Sequence, residues 1–328
     1  MTLIRLGYVA MSTHVPNCSP SQTMTFSQFS KIKDREAAIR KLERISVSNL
    51  NNCWRLLIHN AAYNIQFFRL SFKLIPLVNH PEIPEWDYLE PISEELEKIK
   101  TYLTNQPSIR IDFHPDHFVI LNSSNIDILK TSLKTLRMHY TLLKKMGLDP
   151  DHRCVLHVGG GYGEHEQALE QFIHNWGFVP ESIQKMVILE NDDTTFTLSE
   201  TLYLCEKLGI PMVFDYHHYL AHHSGTENWI DHWNRILQTW NHSKLAPKMH
   251  ISSPRSEKEF RAHADYVDPE MFMEFLQQIK GSLPQLDCMI EAKQKDGALF
   301  QLMDQLRAYP EIEMIDGASF YIRGERLG

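Results

Sequence analysis

The sequence predicts an α/β protein, a (β/α)8 TIM barrel with long loops at the C-terminal face. Two observations carry this reading. Eight short apolar, β-rich runs alternate with eight helical patterns along the 328 residues, as expected of parallel strands joined by crossover helices. Polar residues capable of chemistry then recur where those strands end, the face on which barrels build their sites.

Taken in order, the first strand is expected at 4–10 (IRLGYVA), followed by a Ser-, Thr-, Pro- and Gln-rich loop over 11–33. A long helix over 34–60 follows from apolar residues at helical spacing, then a strand at 65–71 and a proline-rich loop over 72–90. A helix at 91–103 leads to a strand at 108–114, and a helix at 125–147 has Asn125 placed to cap it. Strands at 154–160, 185–191 and 211–217 alternate with helices at 164–177, 198–209 and 228–240. The last two units are a strand at 246–252 with a charged loop over 253–267 and a helix at 268–281, then a strand at 287–293 and a helix at 297–309. Residues 1–309 therefore read as one barrel domain, and 310–328 as a C-terminal tail with no assigned element. An open doubly wound sheet fits the same alternation, since strand patterns alone do not prove closure. No G-x-G-x-x-G loop follows the first strand, so no nucleotide cofactor is expected.

Composition narrows the class. At 43% hydrophobic and 23% charged, the chain has ample material for a core. No apolar run is long enough for a membrane span, and no leader pattern opens the chain, so a cytoplasmic protein is expected. Cys18, Cys53, Cys154, Cys205 and Cys288 are scattered without a C-x-x-C pair, which argues against a disulfide framework or a cysteine zinc site. The net charge of -8 does not advertise a nucleic-acid binder, so any such affinity must be local. Eighteen histidines direct attention to metal ligands.

The chemistry sits at the strand ends. His114, His157, Glu190, Asp215 with His217 and His218, Lys248 with His250, and Glu291 fall in or just after six successive strands. Polar groups at such depths are costly to bury unpaired, about 1–3 kcal/mol each. Imidazoles and carboxylates together suit manganese, iron or zinc. Two or three such ions at one mouth can serve phosphodiester hydrolysis. A metal-dependent sugar isomerase or epimerase on the same barrel would show a similar set, and a lesion-binding protein with structural metals is a non-enzymatic alternative.

The segments IRLGY, FFRLSFKLIPL, FHPDHFVILN, VLHVGGGYG, ILEND, DYHH, KMHISS and EAKQKD, in this order from about residue 3 to 295, resemble the ultraviolet damage endonuclease family. The resemblance implies a barrel related to endonuclease IV that carries a cluster of two or three divalent metals, manganese above all. It implies incision of double-stranded DNA 5′ to cyclobutane pyrimidine dimers and 6-4 photoproducts, leaving 3′-hydroxyl and 5′-phosphate ends. By position it makes His114, His157, Glu190, Asp215, His218, His250, His263 and Glu291 metal ligands. Glu190, Asp215, Lys248, His250 and Glu291 form the catalytic set, with Lys248 matching a lysine that can be carboxylated. Strand alternation would pair Asp215 with His217 instead; the family pattern favours His218.

His117 and Phe118 stand where the family commonly has Gln and Tyr that enter the duplex at the lesion. Tyr8 matches a tyrosine near the damaged nucleotides, and Lys73 stands where some relatives have histidine. Lys31, Lys33, Arg255, Lys258, Arg261, Lys293 and Lys295 follow strands on the mouth side; Arg255, Lys258, Lys293 and Lys295 are the candidate phosphate contacts. A monomer is the default expectation, since no heptad pattern appears.

Overall fold

The structure, a computed structural model, describes residues 1–323. Eight parallel strands form the expected barrel: β1 (Thr2–Val9), β2 (Phe67–Arg69), β3 (Arg110–Asp112), β4 (Cys154–His157), β5 (Val187–Glu190), β6 (Met212–Asp215), β7 (Lys248–Ile251) and β8 (Gln285–Ile290). Their order is β3-β2-β1-β8-β7-β6-β5-β4. A parallel bridge between Phe113 and Cys154 joins the two end strands, so the sheet closes on itself. Two backbone bonds carry it, Phe113 N–H to the Arg153 carbonyl at 2.7 Å and Val155 N–H to the Phe113 carbonyl at 3.0 Å. The open-sheet alternative is thereby set aside.

Helices pack around the strands as the apolar spacing requires: α2 (Arg35–Ala62), α3 (Ser93–Thr104), α4 (Ile126–Lys145), α5 (His165–Trp176), α7 (Leu198–Leu208), α9 (Trp229–Gln238), α10 (Pro269–Ile279) and α11 (Lys295–Leu306). Asn125 and Asp268 cap α4 and α10 as expected, accepting from the Asp127 and Glu270 amides. Three short helices escape the sequence pattern: α1 (Phe26–Ser30), α6 (Glu181–Met186) and α8 (Tyr216–Ala221). Each is under two turns, too short to establish a period of 3.6. α8 matters most, because it takes over where a strand to residue 217 is expected.

Beyond residue 309, β9 (Ile312–Met314) and β10 (Ser319–Ile322) form a hairpin, with β10 antiparallel to the first half of β1. It covers the β1 edge that β2, paired only with Gly7 to Val9, leaves free. The last five residues of the segment 310–328 lie outside the described residues.

The main core lies between barrel and helices, where Phe68, Phe113, Phe172, Phe272 and Phe275 are fully buried; burying such a side chain contributes about 1.5–3 kcal/mol. Inside the barrel the filling is divided. Val155, Ile188 and Val213 pack on Trp240 on one side, while Arg110, Asp112, Lys248 and Asp287 form a buried ionic group on the other. All five cysteines are free and buried, as small apolar residues. No helix among the described residues is long and apolar enough to cross a membrane.

Candidate metal centre

Strand alternation fixes which residues reach the mouth. Residues two apart share a face, so Asp112 and His114 of the third strand point inward, as do Val155 and His157, Ile188 and Glu190, Val213 and Asp215, and Lys248 and His250. Register then sets the level: His157 pairs with Glu190, and Asp215 with His250. Glu291 follows β8 directly, its amide bonded to the Ile251 carbonyl at 2.9 Å. Below them Val155, Ile188 and Val213 make an apolar floor on one side, while Asp112 and Lys248 belong to the buried ionic group on the other.

Two ligand sets result, and Glu190 belongs to both. His114, His157 and Glu190 form one; Glu190, Asp215, His250 and Glu291 form the other, each with one ligand atom per residue within 4.8 Å of the rest. Whether these residues fit divalent cations is decided by their hydrogen bonding. His114 Nδ1–H has the Pro115 carbonyl at 3.1 Å, which leaves the Nε2 lone pair facing Glu190 Oε2 at 3.0 Å. His250 Nδ1 lies 2.7 Å from Glu190 Oε1 and 3.0 Å from Glu291 Oε1, and one N–H cannot satisfy both carboxylates. Asp215 Oδ2, His157 Nδ1 and His250 Nε2 are buried with no hydrogen-bond partner. Lone pairs converging on lone pairs at this burial call for a cation between them. The set fits.

The acid–base state reports the same crowding. Burial raises the Glu190 carboxyl well above its usual range, with Glu291 and Asp215 adding to the rise. Burial would lower the His218 imidazole, but Asp215, Glu190 and Glu291 push it up to about 10. Burial alone would raise Glu291, yet Arg69 first, then His250, His263 and His114, hold it well below the carboxylate range. Glu190 is thus driven toward its protonated form, while neighbouring positive side chains hold Glu291 charged.

His218 and His263 stand at the rim of this cluster. The strand stops at Asp215, whose side chain caps α8 by accepting from the His218 amide at 2.7 Å. The turn brings His218 Nδ1 to 3.4 Å from Glu190 Oε1, and the same nitrogen bonds the Asn191 carbonyl at 2.9 Å. His217 points away into a frame of its own, Nδ1 to Ser252 Oγ and Nε2 to the Phe260 carbonyl, both at 2.7 Å. His263 Nδ1 lies 3.9 Å from Glu291 Oε2. Lys248, one layer down, is fully buried with Nζ 3.2 Å from Asp112 Oδ2, and burial brings its ammonium down to about 8.

A cleft of about 460 Å³ opens above the cluster, lined among others by Arg69, Lys73, His114, His117, His157, Glu190, His218 and Glu291. His117 and Phe118 sit on its rim with ring centroids 4.1 Å apart, and Phe118 is 75% exposed, so it is no core residue. Lys258 and Lys293 are exposed on mouth-side loops, as are Lys31, Lys33 and Arg261; Arg255 is exposed but paired with Glu259 at 3.2 Å, and Lys295 is half-buried. Tyr8 lies beneath the surface. It is fully buried, its ring tilted on Phe68 at 4.9 Å and its hydroxyl donating to Asn60 Oδ1 of α2 at 2.7 Å. It occupies the outward face of β1, opposite to Gly7 and Val9.

Sequence reasoning misses two residues. Asn191 clamps the end of β6, donating to the Asp215 carbonyl and accepting from the Asp215 amide, each at 2.9 Å. Arg69 reaches Glu291 Oε1 through Nη1 at 2.6 Å. Alternation along Phe67, Arg69 and Ser71 is the signal that places this arginine on the inward face.

The fold and the cluster define a (β/α)8-barrel protein whose mouth carries groups that could hold metal ions. Comparison sharpens this: the chain matches the UV-endonuclease UvdE family over residues 4–321 and belongs to it. It is 51% identical over 313 residues to the UV DNA damage endonuclease of Halalkalibacterium halodurans, covering 95% of this chain and 97% of that one. It is 42% identical over 318 residues to that of Bacillus cereus, covering 96% and 98%. Among solved structures, SacUVDE superposes with a TM-score of 0.80 at 29% identity, over 93% of this chain and 98% of the other.

Proposed function

We propose that this protein is a divalent-metal-dependent DNA repair endonuclease that hydrolyses the phosphodiester 5′ to cyclobutane pyrimidine dimers and 6-4 photoproducts, leaving 3′-hydroxyl and 5′-phosphate ends. The observation that carries the reading is the pair of ligand sets sharing Glu190 at the floor of a cleft whose rim presents Phe118 to solvent. Divalent cations, manganese in this reading and two or three in number, supply Lewis acidity for water and charge neutralisation at phosphorus. Glu190, Asp215, His250 and Glu291 hold one position, and His114 and His157 with Glu190 hold a neighbouring one. His218 and His263 close the set from the rim.

Phe118, with His117 against it, fills the stack where a poorly stacked dimer yields. Lacking a hydroxyl, Phe118 acts by ring contact alone. Arg255, Lys258, Lys293 and Lys295 take the flanking backbone, giving salt-sensitive affinity despite the net charge of -8. Lys248 is the carboxylation candidate: with its ammonium near 8, a free-amine fraction is present to add carbon dioxide with loss of a proton. The protein acts as a monomer.

The test is a duplex carrying one defined cyclobutane dimer, incubated with Mn²⁺ and with chelator. A 5′-side nick that disappears with chelator supports the reading. Binding without scission in fresh Mn²⁺ leaves a lesion-binding protein instead.

A further inference from the structure

Four arginines on or beside the strands are withdrawn from solvent: Arg69, Arg110 and Arg153 are buried and Arg5 is partly so. Three of them make two or more side-chain hydrogen bonds within the protein, although Arg110 Nη2 is left without one. Arg5 meets Asp287 fork to fork, Nε to Oδ1 at 2.7 Å and Nη2 to Oδ2 at 2.8 Å. Arg110 bonds Asp112, the Ala246 carbonyl and Asp287. Arg153 bonds the Asp149 and Ile111 carbonyls. Arg69 differs, for its side chain donates once, through Nη1 to Glu291 Oε1 at 2.6 Å.

A guanidinium carries five N–H groups in a rigid fork. The other donors of Arg69 have no acceptor among the described residues, yet none is a sealed orphan. The side chain is only 9% exposed, and that exposure is to the cleft it helps line. Burial without partners is costly for a charged donor, and a guanidinium serving only to hold Glu291 would pair bidentately, as Arg5 does with Asp287. The remaining donors are therefore set for an acceptor that arrives from the cleft. Lys73 lines the same cleft. Lys295 lies near enough that burial, then Arg69, hold its ammonium below the ordinary value. This wall of the mouth is cationic and runs beside Glu291.

We propose that Arg69 is a phosphate-binding catalytic residue: its free N–H groups hold a non-bridging oxygen of the scissile phosphate while Nη1 stays on Glu291. Planar donors of this kind match a phosphate, and the shared Glu291 fixes the phosphate's place relative to the ligand sets. The assignment rests on the nuclease reading for the word scissile, but the anion site itself does not.

The experiment uses the full chain loaded with Mn²⁺, as wild type, Arg69→Gln and Arg69→Lys. Inorganic phosphate is titrated by calorimetry, metal per chain is counted by mass spectrometry, and single-turnover cleavage of the dimer duplex is timed. Arg69→Gln should keep its metal and its duplex affinity within about threefold, bind phosphate about tenfold more weakly, and cut about 100-fold more slowly. Arg69→Lys, which keeps the charge but loses the fork, should fall between the two. Unchanged phosphate affinity in Arg69→Gln overturns the proposal, and so does loss of metal, which would make Arg69 a positioning residue for Glu291. If Arg69→Gln does not fold, wild-type phosphate affinity in Arg69→Lys overturns it as well. A wild type that does not cut but binds phosphate in an Arg69-dependent way keeps this site and removes the nuclease reading.

Discussion

His250 Nδ1 and Glu190 Oε1 meet at 2.7 Å across the barrel mouth, although β6 stands between their strands. The same nitrogen faces Glu291 at 3.0 Å, so the contact is crowded by acceptors. Cations should relieve this, and binding only the folded state stabilises it by mass action, about 2.7 kcal/mol at a hundredfold excess over Kd. Mn²⁺ added to chelator-treated protein is expected to raise the melting temperature by several degrees. An unchanged melting curve across Mn²⁺ concentrations would count against the centre.

Glu190 serves both ligand sets, so the two halves should not respond alike to substitution. Glu190→Gln is expected to deplete both positions, whereas Glu291→Gln and His157→Ala each deplete one. Cleavage should fall about 10³-fold or more with Glu190→Gln or Glu291→Gln, about 4 kcal/mol of lost transition-state stabilisation. Metal counts per chain, measured beside rates, check the ordering.

Adjacent histidines give a sharper contrast. His217 is bonded at both ring nitrogens, to Ser252 and Phe260, while His218 faces Glu190 and Asp215. His217→Ala should cost about 1–3 kcal/mol of stability with metal retained. His218→Ala should lower metal content with a smaller loss of stability. Reversed results would reassign the pair.

Phe118 is exposed, so Phe118→Ala should leave stability within about 0.5 kcal/mol. A base–aromatic contact is worth about 1–3 kcal/mol, and its loss should reduce the preference for dimer-containing over intact duplex about tenfold or more. Competition binding with the two duplexes measures this. Equal preference in variant and wild type would return Phe118 to the surface at large.

His139 lies buried on α4 with its ring 4.6 Å from Phe113 and neither nitrogen well bonded, although the Thr135 carbonyl approaches. Burial lowers its imidazole from 6.5 to about 4, so between those values the unfolded chain binds a proton that the folded one does not. Its contribution is whole above pH 6.5 and is lost as the pH falls toward 4, by on the order of 1.4 kcal/mol per unit. His139→Leu should flatten that limb, which urea melts at pH 7 and pH 5 would reveal.

Most of the frame was legible because its signals are local. The apolar runs around Ile188 and Val213 read as strands, Asn125 and Asp268 read as caps, and the polar residues at the strand ends marked the mouth. What escaped was short or long-range. α8 is too brief to show a period, and the β10 hairpin has meaning only against β1. The partner of Tyr8 was long-range too: its hydroxyl donates to Asn60 of α2, which no local pattern announces.

The sequence by itself determined the alternation of strand and helix, the identity of the inward-facing imidazoles and carboxylates, and the family, since each depends on residue type and spacing along the chain. Only the tertiary structure decided that Glu190 joins two ligand sets, how the strand end at Asp215 turns His218, which the family resemblance already favoured, toward them, and that Arg69 keeps donors free for the cleft. Those facts depend on register between strands and on where a strand gives way to a helix. They are set by packing around the whole barrel, which no window of sequence contains.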